Sequence, residues 1–375
     1  MNIAIDCADL DYDRIDGTRV YIKNLLDQFG RLDTESKFVL YHKNKFNSLL
    51  KPEIFPNYQE KRINYPFWWT QTGFGFELRW DKPDVCWMPI QQVPFLAPKK
   101  TKMAVTIHDL AFKVFPDSFP LLDRRKLDFF TETAVKRADK LIAVSEATKR
   151  DILKYYPKKV KEEKISVVYH GVDKNNFTCN SNKSKQTKIL DRRKLKNAKY
   201  LLYVGAIQPR KNIEVLVEAF EKIKEQKEHQ ELKLVIVGKE AWKSEKTMAR
   251  IRRSPCKSGI VIIRDADFQE LPAFYQNAEV FILPSLYEGF GLPLLEAFAC
   301  GTPAVVADNS SLAEIAADAA LKFLAYEPDS LKNQLERILS DSKIRKKMIQ
   351  SGKERVKQFS WKKCAKKTLE EIKNT

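Results

Sequence analysis

The chain reads as an α/β protein with two domains, each a parallel sheet covered by helices on both faces. Three observations predict this. Short apolar strand segments alternate with longer amphipathic ones, the pattern of a buried parallel sheet. At 375 residues the chain is longer than one ordinary hydrophobic core fills. The alternation also stops in a polar, lysine-rich stretch and restarts at Tyr200. The expected boundaries are residues 1–172, a basic linker at 173–198, a second domain at 199–358 and a terminal helix at 359–375.

In the first domain the strand candidates are 2–6, 37–42, 84–88, 103–107, 140–144 and 165–169. A helix over about 18–30 carries Val20, Leu25, Leu26 and Phe29 on one side. The loop from Asp6 to Thr18 before it leaves the carboxyl end of the first strand, where open α/β sheets bind ligands. Residues 65–80 include Tyr65, Phe67, Trp68, Trp69, Phe74, Phe76 and Trp80. Core packing is the commoner fate of such rings, and stacking on a sugar or resting on a membrane is the other. The pair His108-Asp109 ends the strand at 103–107. A lone histidine there is more often structural than functional. The helix near 120–138 mixes Arg124, Arg125, Lys126, Lys136 and Arg137 with Leu121, Leu122, Leu127, Phe129 and Phe130. It fits either a membrane surface or a helix docked on the sheet. Ser145 suits a helix cap.

The second domain opens with the strand 200–205, the loop 206–212 holding Arg210 and Lys211, and an amphipathic helix to about Gln226. Strands 232–237 and 259–263 follow, with Gly238 and Lys239 turning out of the first of them. After a strand at 280–283 comes the most informative run, residues 284–303. Gly289 and Gly291 lie in a loop, Pro293 suits the first helical position, and Leu294–Cys300 form a short apolar helix. Gly301 and Pro303 then stop it. A strand at 304–307, Ser310 and Ser311 as caps, helices at 328–340 and 342–357, and a last helix from Trp361 to Lys373 complete the reading.

Composition narrows the function classes. Hydrophobic residues make up 43% and charged residues 31%, as in soluble globular proteins. No apolar run reaches the ~18 residues that span a bilayer. The sequence starts directly as a strand, so a cytoplasmic protein without a signal peptide is expected. Six scattered cysteines without Cys-x-x-Cys read as reduced thiols, and four histidines show no metal-ligand spacing. The net charge of +18 is concentrated in residues 151–200 and 351–375. Anionic lipid headgroups fit such a surface, a solvated lysine-rich face explains it equally well, and no nucleic-acid-binding module is recognisable.

The loop at 284–292 opens a helix, so backbone N–H groups and the positive helix end converge there as an anion site. Glycines let the backbone approach a ligand closely. Glu288 and Glu296 flank the site. Carboxylates beside an anion hole make sense if they accept hydrogen bonds from hydroxyls, which suggests a ligand with phosphate and many hydroxyls, such as a nucleotide sugar. The alternative is a structural loop with Glu296 paired to a buried base.

The Glu-x7-Glu spacing within Ser-Leu-Tyr-Glu-Gly-Phe-Gly-Leu-Pro-Leu-Leu-Glu-Ala resembles the signature of the retaining glycosyltransferases of family 4, the glycosyl transferases group 1. The resemblance covers most of the chain and implies the GT-B fold, two Rossmann-like domains facing across a cleft with the C-terminal helix crossing back to the first. It implies a retaining, metal-independent transfer of a hexose from a nucleoside-diphosphate sugar to a glycan or lipid-linked glycan hydroxyl, in bacterial surface polysaccharide synthesis. The sugar nucleotide is a substrate, and no cofactor is expected. Arg210, Lys211 and Glu288 are the expected catalytic residues. Glu296, Gly289, Phe290, Gly291, Leu292, Gly205, Gly238, Arg264 and Gly17 are expected around the donor, and His108 and Asp109 at the donor sugar or the acceptor. The family usually has a glycine pair at the first loop, and here Gly17 stands alone beside Asp16. Asp265-Ala266-Asp267 spells the metal motif of another transferase fold, but Asp267 is placed to cap a helix. Two other readings share the features: a nucleotide-sugar 2-epimerase of the same fold, and a binding protein with a decayed site. The enzyme would work in the cytoplasm, with an anionic membrane surface as a further partner.

Overall fold

The computed structural model describes residues 1–179 and 183–375. Among them, the chain separates into two compact units. The first comprises residues 1–113, 120–171 and 360–375, and the second 114–119 and 172–359.

The first unit holds strands β1 (Asn2–Asp6), β2 (Lys37–His42), β3 (Tyr58–Arg62), β4 (Val85–Met88), β5 (Lys102–Ile107), β6 (Lys140–Ala143) and β7 (Ile165–Val167). They pair in the order β3-β2-β1-β4-β5-β6-β7, and all the pairs are parallel. The second unit repeats the plan with β8 (Tyr200–Val204), β9 (Lys233–Val237), β10 (Ile260–Ile263), β11 (Val280–Leu283), β12 (Ala304–Ala307) and β13 (Leu321–Phe323). Their order is β10-β9-β8-β11-β12-β13, again parallel. The central strands are buried along most of their length because helices cover both faces: all five residues of β8 and all four of β4, β11 and β12 are buried. In each sheet the order reverses beside the first strand, so the loops after β1 and β4, and after β8 and β11, part to either side of a ligand-binding crevice.

Two strands differ from the sequence reading. β3 is an edge strand in which Tyr58 is the one buried residue, so it shows no apolar run. β13 has three residues. The stretch expected to be a linker instead folds onto the second unit. It forms a helix over Lys183–Arg192 that buries Leu190, and Arg193 Nη2 meets Glu270 Oε2 at 2.9 Å. One buried leucine in a lysine-rich segment gives no readable period. The aromatic run divides: Trp69 and Phe74 are buried and stacked, while Phe67, Trp68 and Trp80 are exposed. No helix among the described residues is long and apolar enough to cross a membrane.

The last helix, Trp361–Lys373, lies against the helix Gly17–Leu32 of the first unit. Its end is tied by Lys373 Nζ to Asp33 Oδ2 at 3.0 Å and by Glu371 to Lys140 at 2.8 Å. At its start the backbone of Ser360 and Trp361 presses on Gly171 so closely that a Cβ there would overlap the Trp361 nitrogen. Gly171→Ala should therefore cost about 1–3 kcal/mol by overpacking, read as a lower midpoint in denaturant unfolding. An unchanged midpoint would mean that the helix is not seated there.

Candidate active site

The second unit's crevice is built from the loops that follow β8, β11 and β12. Gly205 and Gly238 end β8 and β9, and their backbones touch: a Cβ on Gly238 would overlap the Gly205 carbonyl. Backbone packing is therefore a sufficient reason for that glycine. Past Gly205 the chain turns through Pro209–Lys211, and Asn212 adopts the left-handed conformation, φ 56°. Its amide donates to the carbonyls of Pro284 at 3.1 Å and Ala325 at 2.6 Å. The Leu286 N–H donates to the Arg210 carbonyl at 2.8 Å. The loops after β8 and β11 are thus laced together by main-chain and amide bonds.

This lacing brings Arg210, Lys211 and Glu288 together. Arg210 Nη1 donates to the Tyr287 carbonyl at 2.8 Å and lies 3.4 Å from Glu288 Oε2. Lys211 Nζ pairs with Glu288 Oε1, to which Ser285 Oγ also donates at 2.6 Å. The three charged side chains are only 11–14% exposed. Burial works to raise the Glu288 pKa, but Lys211 and Arg210 outweigh it and hold the carboxyl down to about 2. Glu288 is therefore the counter-ion of both cations in this state. Its main chain is fixed as well: its N–H donates to Ser310 Oγ at 3.1 Å, and Ser311 Oγ donates to its carbonyl at 2.8 Å. Ser310 and Ser311 were expected as helix caps. The position before the helix Ser310–Ala316 belongs to Asn309 instead, and the two hydroxyls clamp Glu288.

Gly291, in the left-handed region at φ 101°, precedes the helix Leu292–Ala299. Pro293 takes its second position, one residue later than expected. Gly289 and Phe290 are buried in the loop, and Phe290 lies edge-on to Phe359 at 6.0 Å. Glu296 stands on this helix and pairs with no base among the described residues: its Oε2 accepts from the Tyr275 hydroxyl at 2.7 Å. Part of its surface is accessible, yet its carboxyl is packed densely enough that desolvation, opposed by the Tyr275 bond, lifts its pKa to about 7. Arg264 does not join the cluster, since it forks onto Glu240 Oε1 at 2.7–2.9 Å. Asp265 pairs with Arg193 at 2.7 Å, and Asp267 opens the turn Phe268–Glu270 in a capping box, its N–H donating to Glu270 Oε2 at 3.1 Å.

The remaining expected residues lie in the first unit. Gly17 is the exposed first residue of its helix, whose cap is Asp16 accepting from the Arg19 N–H at 3.2 Å. His108 Nε2 lies 2.8 Å from the Pro89 carbonyl. A carbonyl only accepts, so Nε2 carries the proton and Nδ1 the lone pair. Burial lowers the His108 pKa, which keeps the ring neutral. It meets the Tyr21 ring edge-on at 5.0 Å. Asp109 Oδ1 accepts from the Ala111 N–H at 3.0 Å, opening the short helix Ala111–Val114. Sequence reasoning missed Ser285 and Tyr275, whose contacts are with residues 3 and 21 positions away across a turn and a strand.

Comparisons with known proteins now decide the family. The family model for glycosyl transferases group 1 matches residues 184–355, and that for glycosyltransferase family 4 matches residues 15–176. The chain belongs to the group 1 glycosyltransferases. It is similar to the O-antigen chain mannosyltransferase B of Escherichia coli, 26% identical over 279 residues, 73% of this chain and 71% of that protein. It also resembles the O-antigen chain mannosyltransferase RfbU of Salmonella typhimurium, 29% identical over 60% of this chain and 57% of the relative, just over half its length. The fold is that of HepE from Anabaena, solved in complex with UDP-glucose, with a TM-score of 0.78 at 16% identity over all of both chains. This GT-B transferase thus carries its buried ion cluster at the crevice of its second sheet.

The cluster predicts a pH-dependent stability. Because the Glu288 pKa falls from 4.5 to about 2 on folding, its contribution is complete above pH 4.5 and is lost as pH falls through 2. Glu288→Gln removes the carboxylate that Arg210 and Lys211 share and should cost about 3 kcal/mol, measured by urea unfolding at pH 7. Equal stability of the two proteins would contradict the pairing.

Proposed function

We propose that this transferase moves a hexose from a nucleoside-diphosphate sugar to a glycan or lipid-linked glycan hydroxyl, with retention at the anomeric carbon and without a metal ion. One observation carries the reading: Arg210 and Lys211 stand as adjacent buried cations at the crevice between β8 and β11, both paired with Glu288. Two adjacent cations beside a helix N-terminus suit a departing diphosphate. Arg210 can fork onto phosphoryl oxygens, while Lys211 acts as a point charge. Both interactions strengthen as charge grows on the leaving group, which is the condition for a catalytic rather than a merely binding contact. Glu296, next to the helix start, is available to the ribose hydroxyls in its ionised form.

The acceptor class is supported by the names of two relatives, both O-antigen mannosyltransferases. The helix Leu121–Arg137 suits an acceptor met at a membrane face, because Leu121, Leu122 and Phe129 are exposed beside Arg125 and Lys126.

The test is turnover of a panel of nucleoside-diphosphate hexoses with an oligosaccharide acceptor, in EDTA throughout. Arg210→Ala and Lys211→Ala should each lower kcat by about 10²–10³ with the anomeric configuration of the product unchanged. Near-full turnover in both variants, or a strict need for added metal, would overturn the reading.

A further inference from the structure

The helix Leu292–Ala299 carries one charged residue, Glu296, which is partly accessible. Among the described residues its carboxylate accepts from the Tyr275 hydroxyl alone, through Oε2, and Oε1 is left without a donor. Tyr275 itself is fully buried. Phe281 of β11 meets its ring at 5.4 Å and Phe177 at 6.0 Å, both near edge-on. Its carbonyl accepts from Thr302 Oγ1 at 2.6 Å, just past the far end of the helix that bears Glu296. Packing from three segments thus fixes where the hydroxyl lies. A donor so locked has little rotamer freedom left to lose on holding a carboxylate, whereas a lysine would lose far more.

The kind of donor matters as much as its place. A cation on Glu296 would neutralise it, as Lys211 and Arg210 do to Glu288. A hydroxyl occupies one oxygen and leaves the charge. An ionised carboxylate only accepts, so its second oxygen can take both hydroxyls of a cis-diol. Burial works to keep the proton on Glu296, and the Tyr275 bond opposes it, so this hydroxyl governs how much of the carboxylate is ionised at neutral pH. The neighbouring groups are engaged elsewhere or neutral. Tyr203 donates to the Ala206 carbonyl at 2.9 Å, and Cys179 to the Ala299 carbonyl at 3.4 Å. Burial pushes the Cys300 thiol up. Strands β11 and β12 bring no titratable side chain. From the helix Ser342–Val356, Arg345 pairs with Glu279 at 2.8 Å, Arg355 donates to the Glu314 and Ile315 carbonyls, and Lys353 lies against Gly301.

We propose that Tyr275 is a positioning residue for the donor: its buried hydroxyl holds one oxygen of Glu296 and keeps the other turned to the two ribose hydroxyls of the nucleotide. This rests on the transferase reading, which puts Glu296 at the ribose, and it adds a pH dependence to that contact. In acid the carboxyl is protonated, and the preference for a ribonucleotide fades. As pH rises through about 7 the carboxylate forms and the preference is restored. Without the Tyr275 hydroxyl the same rise comes at higher pH.

The experiment is isothermal titration of the full chain with UDP, GDP and their 2′,3′-dideoxy analogues, from about pH 5.5 to about pH 9. The diphosphate titrates alike in a nucleotide and its dideoxy analogue, so the ratio of their affinities isolates the ribose hydroxyls. In the wild-type protein the ratio for the better-bound base should rise about tenfold, with its midpoint near pH 7. Tyr275→Phe keeps the ring contacts with Phe281 and Phe177, so the fold is retained. Its midpoint should lie about one pH unit higher, and the wild-type ratio should return at the top of the range. Glu296→Gln should give a low, flat ratio, and adding Tyr275→Phe to it should change nothing more. An unmoved midpoint in Tyr275→Phe overturns the proposal and leaves the ribose contact standing, as does a further fall in the double variant. A wild-type ratio near one at every pH, or a ratio that still rises with pH in Glu296→Gln, removes Glu296 from the ribose, and the proposal falls with that reading.

Discussion

An ionised carboxylate with little exposed surface must be matched by positive charge, and in this protein the match at Glu288 organises the crevice of the second unit. Burial alone would push its proton on, yet Lys211 and Arg210 hold it ionised. Meeting that requirement draws the loop after β8 onto the loop after β11, and the hydroxyls of Ser310 and Ser311 add the loop after β12. Three segments, 77 and 22 residues apart in sequence, become one rim. On that rim two adjacent cations share Glu288.

The same topology appears twice with opposite chemistry. In the second unit the crevice loops bear Arg210 and Lys211, and in the first a cavity of about 630 Å³ at the switch point is lined by Asp6, Asp9 and Asp11. Parallel order fixes where a crevice lies, and loop residues decide what enters it.

Most of the fold was legible because buried parallel strands are apolar along their length, as Val280–Leu283 and Ala304–Ala307 show. The edge strand Tyr58–Arg62 was not, since an edge buries little and its sequence is charged. The helix Lys183–Arg192 was hidden because a single leucine anchors it. At the site, Arg210, Lys211, Glu288 and Glu296 were readable from their motif. Their partners were not: Ser310 looked like a cap, and Tyr275 had no local signal tying it to Glu296. Arg264 and the Asp265-Ala266-Asp267 run were drawn off by Glu240, Arg193 and Glu270, which no local pattern reveals. The first-unit cavity was the least legible feature, for its walls run from Asp6 to Phe130 and only the folded sheet brings them together.

The central claim is that the ion cluster is a diphosphate cradle, and the most direct measurement is the affinity for a nucleoside diphosphate relative to its parent nucleoside. In the wild-type protein the diphosphate should bind at least about 100-fold more tightly. In Lys211→Ala most of that advantage should vanish while nucleoside affinity holds. An unchanged ratio in the variant would show that the phosphates lie elsewhere and would contradict the account.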